Sequence, residues 1–538
     1  MMKPMSFDFK SRRSMVIARR GMVAASNPLA AQAGLNILRI GGNAADAAIA
    51  TAAVLNVTAP ASTGIGGDCF ALYFDAKSKQ VTSLNGSGRA PMGRTLEALH
   101  AKGYTGQIPP RSADAVTVPG AVRGWEDLLA RHGTMPLRDV LSDAIHYARD
   151  GFPVSPVFQW EWQNAEELLK NSPNAGDYLP GGRAPHVGQF VKLPELAQTL
   201  QHIAEGGAKA FYTGDIADEI VSTLQANGGV MTHADLQNHE STWDEPIQTD
   251  YRGITVCECP PNGQGLAALI ALNIAEGWEL GTMAWDNPER LHLMIEAIRL
   301  AFADARQYIA DMDFSPVPLN GLLDKNYASE RRKRVSRERA MQPPEYGKPL
   351  PGSDTVYLSV VDGTGNACSF INSLYLGFGS GIVAKGTGIF LQCRGANFSL
   401  DPDHGNAYAP GKRPYHTIIP GMALKDGELW ASFGVMGGFM QPQGHLQVIS
   451  AMVDDDLNPQ EALDRPRFCL MDENTLALED GIPIETIARL GKMGHGVNIV
   501  SGASRLAFGS GQIIRRDTQS GVLFGGSDPR KDGLVAAF

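Results

Sequence analysis

Long apolar runs, clustered cysteines and dense basic patches are all missing from this 538-residue sequence. The longest apolar stretch, residues 44–54, contains Asp46 and is too short to cross a bilayer. The basic N-terminus is not followed by the apolar segment of a secretory signal, so we expect a cytoplasmic protein without a membrane partner. The net charge of -10 is not offset by any Lys/Arg cluster, which argues against a nucleic-acid partner. A small-molecule substrate is therefore the expected partner.

The sequence also lacks the patterns that bind metals and cofactors. Its six cysteines are scattered, and Cys257 with Cys259 predicts the edge of a strand rather than a metal site. His404, His416 and His445 have no zinc-ligand spacing. No P-loop, complete dinucleotide fingerprint or G-x-S-x-G elbow is present. We therefore predict no metal, no cofactor and no conventional serine hydrolase.

The secondary-structure patterns come in runs. Helices are predicted over residues 28–40 and, behind an N-cap at Asn43, to about residue 56. Residues 115–340 are mostly helical in pattern, whereas the chain from Thr355 onward begins strand, tight turn, strand. Runs of helices and of strands, without strict alternation, favour an α+β arrangement of layers.

The junction at Thr355 is the most informative local feature. Residues 331–351 are charged and then Pro-rich, which predicts an exposed connector that runs through Gly352 to Asp354 and directly into a strand. A threonine at a strand start is usually only a β-branched strand former. If the Asp354–Thr355 bond is cut, however, the hydroxyl and the new α-amine belong to one residue, and an amine of pKa about 8 can accept the hydroxyl proton. The Thr355 hydroxyl could itself make the cut by attacking the carbonyl carbon of Asp354, followed by hydrolysis of the ester.

Ordered motifs along the chain carry a resemblance to a known family. They are NPLAAQAGLNILRIGGNAADAAIA, STGIGGD, AVTVPGAVRGWEDL, PPNGQG, DTVYLSVVD, FGSGIV, GKRPYHTIIP, a Met-Gly-Gly turn and a terminal GSDPRKDG. On these motifs the chain resembles the γ-glutamyltranspeptidase family of N-terminal nucleophile hydrolases. The resemblance implies a four-layer αββα fold and self-cleavage into a large subunit, residues 1–354, and a small subunit, residues 355–538, which stay associated as one composite domain. It also implies acyl-enzyme chemistry on γ-glutamyl amides such as glutathione.

The resemblance assigns catalytic roles to four residues. Thr355 matches the family nucleophile, and Ser373 matches a second hydroxyl residue near it. Gly437 and Gly438 match a glycine pair whose backbone amides form the oxyanion hole. Adjacent amides in such a turn can donate to a tetrahedral oxygen, although a Gly-Gly pair by itself is more often only a tight turn.

Several expected substrate contacts depart from the family pattern. Ser87 stands where the family has an arginine that binds the substrate α-carboxylate, and Arg89 follows two residues later. Asn397 replaces an aspartate that binds the substrate α-amine, so selection for an ammonium group should weaken. Arg394 stands at a position that is often Gln or Glu in the family. Arg89 and Arg394 are therefore the candidate anion-binding residues, although either could equally be an ordinary surface or ion-paired arginine.

Two further departures lie in the small subunit. Tyr375 replaces an asparagine that contacts substrate, and His416-Thr417 replaces a pair of serines. The stretch over residues 397–411 also looks shorter than in family members with an active-site lid, which predicts a more open pocket.

Together the departures resemble the acylase-like branch of the family, which includes class IV cephalosporin acylases. The leading hypothesis is a self-processing amidohydrolase, or glutathione hydrolase, that acts on a γ-glutamyl amide and hydrolyses more than it transpeptidates. One alternative is a glutaryl-type acylase on amides that lack an α-amine. Another is an unprocessed homologue that binds ligands without catalysis.

Overall fold

The computed structural model describes residues 13–341, 354–472 and 475–538. Its strands are β1 (Val16–Ala18), β2 (Gly21–Ala25), β3 (Asp68–Asp75), β4 (Gln80–Gly86), β5 (Phe152–Pro153), β6 (Phe190–Val191), β7 (Thr242–Asp244), β8 (Ile247–Tyr251), β9 (Ile254–Glu258), β10 (Asp354–Asp362), β11 (Ala367–Tyr375), β12 (Val383–Ala384), β13 (Ile389–Phe390), β14 (Gly421–Lys425), β15 (Glu428–Met436), β16 (Phe468–Leu470), β17 (Thr475–Glu479), β18 (Gly496–Val500), β19 (Ser510–Arg516), β20 (Leu523–Ser527) and β21 (Leu534–Ala537).

The helices of the described residues follow in the same order. They are α1 (Pro28–Arg39), α2 (Ala44–Thr58), α3 (Leu96–Ala101), α4 (Ala121–His132), α5 (Leu137–Val140), α6 (Ser142–Asp150), α7 (Pro156–Asn164), α8 (Glu166–Lys170), α9 (Pro194–Gly206), α10 (Ala208–Tyr212), α11 (Asp215–Ala226), α12 (His233–Gln237), α13 (Gly265–Ala275), α14 (Pro288–Tyr308), α15 (Leu319–Leu322), α16 (Lys325–Arg332), α17 (Met440–Val453), α18 (Pro459–Asp464) and α19 (Ile484–Lys492).

Two seven-stranded antiparallel sheets form the centre of the molecule. The first has the order β21-β2-β10-β11-β3-β4-β7, and the second has the order β1-β20-β19-β15-β14-β9-β8. Helices α1, α2 and α4 pack on the first sheet, and α13 and α17 pack on the second. A third apolar cluster lies between the sheets and includes Met22, Phe70, Phe74, Tyr357, Ile371, Met422 and Ile514. The four layers αββα and the α+β class predicted from the sequence are confirmed.

The alanine-rich helix α2 is fully buried and packs closely against α1. Every residue of α2 is buried, and Asn43 caps it in a reciprocal capping box with Asp46. A Cβ on Gly34 of α1 would lie 2.1 Å from the hydroxyl of Thr51 in α2, so the two helices touch at a glycine. The predicted helices and cap are therefore confirmed.

The region over residues 115–340 is more mixed than predicted. It contains the helices α4 to α16 but also β5 to β9, of which β8 and β9 complete one edge of the second sheet. In β8, Ile247, Thr249 and Tyr251 are buried and alternate with exposed residues, a period-two pattern that is typical of an edge strand. Cys257 lies within β9.

The predicted connector lies only partly within the described residues. Arg331 and Arg332 complete α16 rather than beginning an exposed segment, because Arg331 pairs with Asp304 and Arg332 donates to the carbonyl of Asn273 at the end of α13. Residues 342–353, including Gly352, lie outside the described residues. In the part of the chain that the structure describes, no helix has both the length and the apolar character required to span a membrane. All six cysteines are buried free thiols.

Candidate active site

Thr355 and Ser373 face the space between the two sheets from neighbouring strands. In β10, Val356 and Leu358 belong to the helix-side core, whereas Tyr357 belongs to the cluster between the sheets, so Thr355 shares the inner face. The Thr355 Oγ1 atom lies 3.2 Å from Oγ of Ser373, which is at the end of β11. Both side chains are buried. The structure thus brings the predicted nucleophile and the second hydroxyl into hydrogen-bond contact.

The strands β10 and β15, one from each sheet, face each other across the space between the sheets and run in opposite directions. The Ser359 hydroxyl donates to the Ser432 hydroxyl at 2.6 Å. Two residues earlier on β10 and two residues later on β15, the Tyr357 ring covers Gly434, where an added Cβ would come within 2.5 Å of the ring. Met436, two residues further on, is the last residue of β15 and belongs to the apolar cluster between the sheets.

The glycine turn follows Met436 directly. Gly437 has φ +122° and Gly438 has φ +59°, conformations that favour glycine. The carbonyl of Gly437 accepts a hydrogen bond from the amide of Met440 at 3.0 Å, within the first turn of α17. Because the N–H and C=O of a trans peptide point in opposite directions, the amide of Gly438 points away from α17. The oxyanion-hole role of Gly437 and Gly438 stays a prediction.

Arg394 lies directly behind Ser373. Its Nη2 donates to Ser373 Oγ at 3.1 Å and its Nη1 donates to Thr417 Oγ1 at 2.7 Å. Its guanidinium lies 4.5 Å from the centroid of the Tyr375 ring. Arg394 is the first residue of a short 3-10 helix, Arg394–Asn397, and its side chain is completely buried. Burial lowers the pKa of Arg394 to about 10, which leaves it cationic at neutral pH.

The positive charge of Arg394 has no carboxylate partner among the described residues. The acid whose charge acts on it most is Asp68, but other donors already occupy that carboxylate. These donors are the amides of Gly88 (2.9 Å) and Gly120 (3.2 Å), Nε2 of Gln392 (2.9 Å) and Nε2 of His416 (3.0 Å). A buried charge without a partner is costly, and the anion-binding role of Arg394 stays a prediction.

His416 and Thr417 contribute to the site in different ways. The Thr417 hydroxyl contacts Arg394, whereas the His416 imidazole bonds to Asp68 and packs on Phe70 with ring centroids 5.0 Å apart. Burial lowers the pKa of His416 to about 3, so the imidazole is neutral at pH 7. The structure therefore brings Thr417 into contact with Arg394, whereas His416 holds the carboxylate of Asp68.

Tyr375 and Asn397 close the side of the site beyond Arg394. The Tyr375 amide donates to Ser373 Oγ at 2.9 Å, and the residue has a positive φ of +83° that is unusual for a side chain of its size. Burial raises the pKa of the Tyr375 phenol, against the opposing effect of the nearby Arg394 charge. The backbone carbonyl of Asn397 accepts a hydrogen bond from the side-chain Nδ2 of Asn406 at 2.7 Å.

Arg89, the other predicted anion-binding residue, has its contacts elsewhere. Its guanidinium donates to the carbonyl of Glu240 at 3.4 Å and lies 3.9 Å from a carboxylate oxygen of Asp313. The Ser87 hydroxyl bonds to Asn85 at 2.7 Å. Of the two arginines, Arg394 is the one that contacts Ser373.

Gln264 was not predicted as a site residue. Its side-chain amide donates to the carbonyls of Thr417 (2.6 Å) and Gly438 (2.8 Å). Its loop, PPNGQG, is among the motifs that carry the family resemblance. In the sequence, the signal for Gln264 as a site residue is a glutamine within a Gly- and Pro-rich loop.

One cluster among the described residues has the side-chain types of a metal site. Nδ1 of His292 and Nε2 of His495 lie 2.8 Å apart, and Glu296 is close to both. The second nitrogen of His292 contacts the carbonyl of Ser336 at 2.7 Å, and Glu296 accepts from the amide of Met341. The two histidines therefore already hydrogen-bond to each other, and the cluster links α14 to the loop that follows α19.

Two antiparallel sheets between helical layers, with a threonine hydroxyl on the inner face at the start of a central strand, define the chain as an N-terminal nucleophile hydrolase. The sequence profile of the γ-glutamyltranspeptidase family matches residues 30–538, and the chain belongs to this family. It is therefore an enzyme of the hydrolase and acyltransferase type, as the sequence predicted.

The relatives include hydrolases with different substrate names. A crystal structure of cephalosporin acylase from Bacillus halodurans is 47% identical, with a TM-score of 0.93 over 100% of this chain and 99% of that chain. The "Glutathione hydrolase-like YwrD proenzyme" of Bacillus subtilis is 40% identical over 97% of this chain and 99% of its own length. The "Oxamate amidohydrolase proenzyme" of Klebsiella pneumoniae is 35% identical over 97% of this chain and 99% of its own length.

Proposed function

We propose that the chain is a proenzyme that cuts itself before Thr355 and then hydrolyses amides whose acyl part carries a carboxylate. The observation that carries this proposal is the chain of contacts from Thr355 through Ser373 to Arg394, which joins a candidate nucleophile to a buried cation. The matching relatives named as proenzymes support the cleavage.

Maturation would begin with attack of the Thr355 hydroxyl on the carbonyl carbon of Asp354. The peptide bond breaks, the hydroxyl proton passes to its nitrogen, which becomes the new α-amine, and an ester joins Asp354 to the threonine oxygen. Water hydrolyses this ester and regenerates the hydroxyl. The products are a large subunit, residues 1–354, and a small subunit, residues 355–538, which remain each other's partner.

Turnover would repeat the same chemistry on a substrate. The α-amine of Thr355 takes the hydroxyl proton, the oxygen attacks the amide carbon, and the amides of Gly437 and Gly438 stabilise the oxyanion. The leaving amine receives the proton, and water then releases the acid from the acyl-threonine. Arg394 and the Tyr375 amide both donate to Ser373 Oγ, which fixes that hydroxyl where it can donate to Thr355.

The substrate class follows from Arg394. A γ-glutamyl amide such as glutathione, a glutaryl amide and oxamate, the substrate in the name of the Klebsiella relative, all have a carboxylate on the acyl part. Asn397 cannot ion-pair with an α-ammonium group, so an acyl part without one should be accepted as well. Hydrolysis should exceed transpeptidation, because the described residues around Thr355 and Arg394 offer little evidence of a dedicated acceptor subsite.

Denaturing electrophoresis with intact mass tests the proposal. The wild type should yield fragments 1–354 and 355–538, and Thr355→Ala should remain one inactive chain. Purified wild-type protein that stays intact and binds glutathione or a glutaryl amide without turnover would instead support a binding homologue.

A further inference from the structure

Gln264, the residue directly before α13, connects two parts of the site that are distant in sequence. Its Nε2 has two hydrogens, and they are used by the carbonyls of Gly438 and Thr417. Its Oε1 accepts from the Tyr415 hydroxyl at 3.1 Å, and its backbone amide donates to the carbonyl of His416 at 2.9 Å. The side chain is completely buried. Every one of these partners belongs to the predicted small subunit, whereas Gln264 belongs to the large one.

The contact of Gln264 with the carbonyl of Gly438 affects the Gly437–Gly438 turn. A glycine pair has a wide choice of backbone conformation and no side chain to anchor it. Stabilisation of an oxyanion depends on donors that are already in place before the reaction. The carbonyl of Gly438 is held by Gln264 at 2.8 Å and by the amide of Gln441 at 3.1 Å. Of these two donors, only Gln264 lies outside α17, so it fixes the turn relative to the rest of the site.

The second contact bears on the anion site. Thr417 is held at its carbonyl by Gln264, and its hydroxyl accepts from Arg394. Because one amide group holds both Thr417 and Gly438, its side chain helps to set the distance between the guanidinium of Arg394 and the turn. That distance decides whether a substrate bound by its carboxylate presents its amide carbon to the turn.

We propose that Gln264 is a positioning residue, which holds the Gly437–Gly438 turn and the Thr417–Arg394 pair in register for acyl transfer. The inference rests on the function proposed above. Gln264 contacts none of the reacting atoms and acts through Gly438 and Thr417.

Two variants separate this role from simple structural support. Gln264→Leu removes both donors, and we expect self-cleavage and kcat to slow by about 10- to 100-fold, less than the loss of an oxyanion donor outright. Gln264→Glu provides one O–H donor only when it is protonated. The ratio of its kcat to that of the wild type should therefore rise as the pH falls from 8 to 5, and a merely structural role would leave this ratio flat.

A matched control is Gln460→Leu. Gln460 is also a buried glutamine, and it bonds to the backbone amide and carbonyl of Ser527 at 3.0 Å each. It lies in α18, which packs against β19 and β20. The variant should lose thermal stability while keeping the wild-type kcat. A kcat loss in Gln264→Leu no larger than in this control, together with a flat pH ratio for Gln264→Glu, would overturn the inference. A wild type that neither cleaves nor turns over would instead contradict the proposed function.

Discussion

The guanidinium of Arg394 lies 4.5 Å from the centre of the Tyr375 ring, and both side chains are shielded from solvent. The ring offers its electron-rich face to the cation, an attraction that strengthens where water is excluded. It does not neutralise the charge. The pair therefore places a positive charge next to Ser373, which in turn contacts Thr355.

Replacing Arg394 by Met should selectively impair substrates with an acidic acyl part. We expect KM for a glutaryl anilide to rise at least about tenfold, because a buried carboxylate loses its ionic partner. The methyl ester of the same anilide should be affected much less. Initial rates on the two compounds measure this difference. Arg515→Met is the control, since Arg515 also lies over aromatic rings, those of Trp430 and Phe524. An equal loss on both compounds would remove Arg394 from substrate recognition.

Replacing Ser373 by Ala should slow self-cleavage and turnover together. The variant loses the hydroxyl that contacts Thr355 Oγ1 and leaves an Arg394 donor unsatisfied. A fall in kcat of about 10- to 100-fold is expected, on the scale of a positioned proton-transfer or hydrogen-bonding group. Time courses of fragment formation and of anilide hydrolysis give both rates. Ser369→Ala, on the same face of β11, removes a hydroxyl that contacts Tyr357 instead, and it should retain both activities.

Replacing Asn397 by Asp should shift selectivity toward γ-glutamyl amides. A carboxylate at this position can pair with the α-ammonium group that glutaryl amides lack. The ratio of kcat/KM for γ-glutamyl anilide to that for glutaryl anilide should increase several-fold. If the ratio does not move, the side chain at residue 397 does not contact the α-position of the substrate.

The buried histidines should make folding sensitive to acid. Burial lowers the pKa of His416 to about 3, so the folded protein keeps the imidazole neutral over a range where the unfolded chain, with a pKa near 6.5, binds a proton. This contribution to stability is complete above about pH 6.5 and declines as the pH falls toward 3, by up to about 1.4 kcal/mol per pH unit. Denaturant unfolding at pH 7, 5.5 and 4.5 measures the slope. His416→Gln should reduce this slope by the share of one histidine, because His132, His239 and His495 also have pKa values lowered by burial. Substitution of the exposed His202 should leave the slope unchanged.

Much of the architecture was accessible from the sequence. Helices α1 and α2, the Asn43 cap and the strand that begins at the Thr355 junction follow from local signals. The four-layer fold came from ordered motifs rather than from local patterns. The short strands β8 and β9 were missed as a pair because they interrupt a long helical region and complete a sheet whose other strands lie far along the chain.

The site was harder to predict where its geometry depends on tertiary contacts. Arg89 and Arg394 were equivalent candidates, and only the fold turns one toward Ser373 and the other toward Glu240 and Asp313. The role of Gln264 could not be read from its sequence neighbours, since its partners lie about 150 or more residues away. The catalytic assignments of Gly437 and Gly438 stay predictions.

The strand order also determines how a cut before Thr355 would affect the whole molecule. In the first sheet β2, from the N-terminal portion, is hydrogen-bonded between β21 and β10 of the C-terminal portion, and in the second sheet β14 pairs with β9 across the same divide. Separating the two pieces would break the backbone hydrogen bonds between paired strands in both sheets. Dilution should therefore not separate them, and the nicked enzyme should melt in one cooperative transition, as an unbroken chain does.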